Sequence, residues 1–70
     1  MASLKQLAID ASEDAFKDGV KTAVRELMNG FILAKTSDER EACIARHQAA
    51  LQFHRTLHET SVAAINAAFP

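Results

Sequence analysis

Seventy residues with no Trp, no Tyr and four Phe allow one small domain, at the lower end of what folds alone, and exclude a large aromatic core. Eight bases against nine acids give a net charge of −1, which excludes strong electrostatic attraction to nucleic acid or an anionic membrane as the dominant property. The single cysteine, Cys43, excludes an intrachain disulfide and fits a reducing compartment.

The opening stretch MASLKQLAIDASED has no long apolar run and turns acidic, unlike a signal peptide. No segment has the apolar length that spans a bilayer. The expected location is cytoplasmic, which for a phage-encoded chain means the host cytoplasm. Ser3 is a candidate N-cap, with Gln6 three residues on. From there the composition is that of a helix: good helix formers dominate, and the only Pro is residue 70. At about 100° per residue, Ile9, Phe16, Val20, Val24, Leu27, Phe31 and Ala34 fall on one stripe. Leu4, Leu7, Ala8 and Ala11 point away from it. Either the helix breaks near Asp10–Ser12, where Asp10 and Glu13 resemble a second capping box, or it is continuous and buries a second face. A continuous helix over about 4–35 is the expectation. It runs through Gly30 at a cost of about 1 kcal/mol relative to Ala, because Phe31 and Ala34 keep the phase.

The segment KTSDERE (35–41) punctuates the chain. Thr36 and Glu39 match the S/T-x-x-E capping pattern, and Asp38, Glu39 and Glu41 suit the positive end of a helix dipole. A turn at 35–37 and a second helix over about 38–68 follow. Residues 1–70 then form a single all-α domain, an antiparallel two-helix hairpin. In the second helix Ile44, Leu51, Val62, Ile65 and Phe69 share a stripe, flanked by Cys43, Ala50, Leu57 and Ser61. Phe53 projects almost opposite, among small alanines. One hairpin seam cannot cover all these surfaces, so dimerisation into a four-helix bundle is expected.

All three histidines lie in the second helix. A turn at 35–37 brings His47 near Leu27, His54 near Val20, and His58 near Phe16 and Glu13. They are read first as seam residues that fix register, with a Glu13–His58 contact. A metal-binding alternative uses His54 and His58, an i, i+4 pair able to ligate zinc, copper or nickel but short of a complete site. A proton switch is a third possibility, since histidine charges near neutral pH.

No nucleophile elbow, phosphate-cradling glycine loop or acidic dyad is present. A catalytic role is not expected, nor is a cofactor. Cys43 with His47 at i+4 reads as a small seam residue. Lys17, Lys21 and Arg25 form a basic row whose ordinary role is a solvated face beside Asp14 and Asp18, and whose functional role is phosphate contact. In length and two-helix plan the chain resembles the Rop-type plasmid RNA-binding proteins, whose hairpins dimerise into four-helix bundles. That resemblance implies an RNA-binding dimer using Lys17, Lys21 and Arg25. By size and plan the chain also looks like the small helical proteins with which phages bind and inhibit host regulators or motors. The surplus of apolar helix surface favours this second line. The expected function is a non-catalytic protein–protein interaction module, a small inhibitor or regulator that occludes a host protein. Its partners are a second copy of itself and another protein, contacted through Leu4, Leu7, Ala11, Phe53 and Phe69 with Arg46 and Arg55 at the rim.

Overall fold

A computed structural model describes residues 3–70. It contains two helices, α1 (Leu4–Leu33) and α2 (Ser37–Ala68), packed against each other as a hairpin. The capping chemistry sets their limits. Ser3 is extended and its hydroxyl accepts from the Gln6 N–H at 3.1 Å, satisfying one of the orphan donors of the first turn. Gln6 does not reach back to complete a capping box; its amide donates forward to Asp10 at 2.9 Å. Thr36 caps α2 by accepting from the Glu39 N–H at 3.1 Å. The Glu39 carboxylate reaches one residue past the cap, to the Lys35 N–H at 2.8 Å. That reciprocal pair closes a short connection: Ala34 is already extended, and its N–H ends α1 on the Gly30 carbonyl at 2.8 Å. At the far end the Phe69 N–H bonds to the Ile65 carbonyl at 2.9 Å. Pro70 follows, a residue that disfavours helical geometry at the position before it.

α1 is continuous through both Asp10–Ser12 and Gly30. It stops two residues earlier than the spacing predicts, because Lys35 belongs to the connection.

The interhelical seam departs from the sequence expectation in phase. The helices meet along Ser12, Phe16, Gly19, Ala23 and Gly30 of α1 and Cys43, His47, Ala50, His54, His58 and Ser61 of α2. The 4-3-4 spacing of residues 12, 16, 19 and 23, and of 43, 47, 50 and 54, is that of a heptad seam. Val24 and Phe31, expected inside, are each 40% exposed, and Ile44 is 42% exposed. The reason is steric. Helix axes approach most closely where side chains are small, so glycine and alanine take the line of contact and the larger side chains flank it. A Cβ added at Gly19 would stand 2.5 Å from His54 Nδ1, and one at Gly30 would stand 2.8 Å from Cys43 Sγ.

The result is a layer measuring 52 × 20 × 7 Å across its Cα atoms. Among the described residues only Ala23 (3% exposed) and Cys43 (6%) are buried. Because the helices are antiparallel, the helical phase puts Ile9, Val20, Val24, Leu27 and Phe31 on the same side of the layer as Ile44, Leu51, Val62 and Phe69. Of the two sequence stripes, Val24, Phe31 and Ile44 are exposed on this side, the apolar face of the layer, while Ile9, Val20, Leu27, Leu51 and Val62 are half-buried along the flank of the seam. The opposite side carries open clefts bordered by Ala15, Glu26 and Leu33 of α1 and Arg46, Ala50 and Leu57 of α2.

Candidate functional site

Polar chemistry concentrates in the seam. Ser12 Oγ lies 3.0 Å from His58 Nδ1 and also bonds to Ser61 Oγ. The two hydroxyls and the imidazole form a chain that is satisfied in either direction: each oxygen both donates and accepts, and the histidine tautomer follows the direction chosen. The Phe16 ring packs on the His58 ring, with centroids 5.1 Å apart and planes at 31°. His47 Nδ1 lies 3.1 Å from the Ala23 carbonyl oxygen. A carbonyl only accepts, so Nδ1 carries the proton there. His54 fills the space above Gly19, and the Phe53 ring meets its ring edge-on at 5.8 Å. Cys43 is a free thiol facing Gly30, with Arg46 Nη2 donating to its sulfur at 3.3 Å.

The register expected for the histidines is present, and each one meets α1 at or within a turn of the residue named for it. The Glu13–His58 contact is not. Glu13 is exposed, and Ser12, one residue and about 100° away, is the group that faces His58. In the sequence Ser12 is only the bound of a possible helix break, set aside for a continuous helix, and the signal for its place in the seam is the 4-3-4 spacing it shares with Phe16, Gly19 and Ala23.

An open cleft of about 280 Å³ is lined by Ser12, Ala15, Phe16, His54, Leu57, His58 and Ser61. It places a serine hydroxyl on an imidazole, the first step of a nucleophile–base pair. Yet Ser12 lies in the interior of α1, where backbone N–H groups are bonded within the helix, so no pair of main-chain donors is aimed at a developing oxyanion. Among the described residues no three His, Cys, Asp or Glu side chains are grouped to hold a metal ion. His54 and His58 therefore stand as an i, i+4 pair without a third ligand beside them.

The residues expected to contact a partner divide between the two sides of the layer. Leu4 (67% exposed), Leu7, Ala11, Phe53 (60%) and Arg46 are exposed, and by phase they lie on the cleft side or the outer edges. Arg55 and Phe69 lie towards the apolar face. Phe69 is half-buried, and Arg55 Nε donates to Glu59 Oε1 at 3.1 Å on the surface. Lys17, Lys21 and Arg25 are exposed along the outer edge of α1. Lys21 and Arg25 border an apolar hollow of about 340 Å³ formed with Val20, Val24 and Met28. Among the described residues no helix is long and apolar enough to cross a membrane.

No family model matches the chain, and no curated protein or solved structure is similar enough to match it.

Proposed function

We propose that the chain is a non-catalytic protein-interaction module. Two copies cover each other's apolar faces to make a four-helix bundle, and the outward cleft side occludes a surface on a target protein. The observation that carries this reading is the exposure of large apolar side chains on both sides of the layer, Val24, Phe31 and Ile44 on one and Leu4, Leu33, Phe53 and Leu57 on the other, while among the described residues only Ala23 and Cys43 are buried.

Area supports the same conclusion. A folded monomer of this size exposes about 4,300 Å² by the usual scaling with mass, whereas the hairpin exposes 5326 Å². The surplus is about 1,000 Å² per chain, so a pair would cover about 2,000 Å², the lower range of obligate homodimer interfaces. With the apolar face covered, the side left to a target carries Leu4, Leu33, Phe53, Leu57 and Arg46, an aliphatic and aromatic surface with a cationic rim. That composition suits helix-in-groove or helix-on-helix recognition.

Sedimentation equilibrium at micromolar and lower concentrations tests the proposal, with helicity followed in parallel. The expected result is a dimer whose helical content and melting temperature fall on dilution. A chain that stays monomeric and fully helical at every concentration overturns it.

A further inference from the structure

The charges on the outer edge of α1 select one arrangement of the two copies. Along this edge Asp10 and Asp14 come first and Lys17, Lys21 and Arg25 follow, with Asp18 at the cleft-side margin about 20° from Arg25. At about 100° per residue the first five share one stripe beside Val20, Val24 and Met28 of the apolar face. Within the described chain none of them forms an ion pair; the salt bridge found is Arg55–Glu59, on α2. A charge stripe that is acidic in one half, basic in the other and unpaired within its own chain is complementary to itself when reversed.

We infer that a second copy crosses the apolar face with its α1 antiparallel to α1 of the first, about a two-fold axis between Lys17 and Asp18. Asp10 of each copy then lies level with Arg25 of the other, and Asp14 lies level with Lys21. The axis falls within one residue of the middle of α1 (Leu4–Leu33), so the charge register is also the one in which the two hairpins overlap along almost their full length. Their turns lie at opposite ends of the bundle.

The competing arrangement has its two-fold axis parallel to the helices and sets α1 of one copy over α2 of the other. A pure rotation about that axis keeps every residue at its own height. The Ser12–Ser61 and Gly19–His54 contacts fix those heights, so Asp14 would sit level with Glu59 and Lys17 close to Arg55. Like charges meet there, and opposite charges meet in the antiparallel arrangement. The antiparallel arrangement has two like-charge contacts, Lys17 and Arg55 each beside its own symmetry mate, and four attractive ones.

This assignment rests on the dimer proposed above, and the experiment separates the two. One variant carries Asp10→Arg with Asp14→Lys, and a second carries Lys21→Asp with Arg25→Asp. Each alone opposes like charges and should weaken its homodimer by at least about tenfold at low salt, with the loss reduced at high salt. Mixed one to one, they should form a heterodimer of wild-type affinity. In a Cys43→Ala background, Lys17→Cys should form a disulfide-linked dimer under mild oxidation, because only the antiparallel arrangement puts residue 17 beside its mate. A wild-type chain that is monomeric removes the underlying dimer. A wild-type dimer whose charge variants neither weaken alone nor recover on mixing, and whose residue 17 does not cross-link, keeps the dimer and overturns this register.

Discussion

The seam between the helices and the apolar face of the layer are built on opposite plans. The seam holds glycine, alanine, serine and three imidazoles, and its polar atoms find specific partners: His47 the Ala23 carbonyl, and His58 the Ser12 hydroxyl. The face holds valine, leucine, isoleucine and phenylalanine, of which Val24, Phe31 and Ile44 are exposed and Ile9, Val20, Leu27, Leu51 and Val62 half-buried in the single chain. Hydrogen bonds and tight small-residue contacts fix register well but supply little free energy, about 1 kcal/mol net for each bond. Apolar area supplies much more, about 25 cal/mol per Å² removed from water. The hairpin thus specifies its geometry with one surface and leaves further apolar area uncovered on another. Chain folding and chain association are accordingly expected to be one process.

The strongest way to break this contrast is to charge the face. Val24→Asp, at an exposed position of the face, should abolish dimerisation and, through it, most of the helix signal at micromolar concentration. Circular dichroism and sedimentation on the same samples check this, and full helicity in a monomeric variant would count against the coupling. Next comes the line of close approach. Gly19→Leu puts side-chain atoms where His54 stands and should destabilise by about 1–3 kcal/mol through overpacking, read from the midpoint of a urea titration. A smaller effect is expected from Ser12→Ala, which strips His58 Nδ1 and Ser61 of their shared partner. It should cost about 1–2 kcal/mol in the same titration without loss of the dimer. The smallest is Arg55→Ala, which removes an ion pair exposed on both sides and should move the thermal midpoint by no more than a degree or two.

Helix limits and register were legible in the sequence because local chemistry sets them. Ser3, Thr36 and Glu39 announce the caps, and a short connection between helices of nearly equal length leaves one way to pair the residues. His58 was accordingly placed against Phe16. The rotation of each helix about its axis was legible only in part: Phe16, Val20, Leu27 and Leu51 are half-buried as expected, whereas Val24, Phe31 and Ile44 are exposed. A hydrophobic stripe turns the largest side chains inward, which holds for a helix with one place to bury them. In this chain Val24, Phe31 and Ile44 fall outside the seam, and the inward line is chosen by what lets two backbones approach. Gly19, Ala23 and Gly30 carry that information through their lack of bulk, which a count of hydrophobic residues does not register. Ser12 was missed for a related reason: beside Asp10 and Glu13 it looks like part of a cap, and its meaning depends on Ser61 and His58, more than forty residues away.

The burial of Cys43 against Gly30 gives the molecule an internal clock. Its sulfur sits near the turn, between the two backbones, where a thiol-alkylating reagent has little access while the helices are together. Its modification is then paced by how often that end of the hairpin opens. Where closing outruns the chemistry, the labelling rate divided by that of the unfolded chain gives the opening equilibrium directly. One native atom can thus report the breathing of the turn end without any introduced probe.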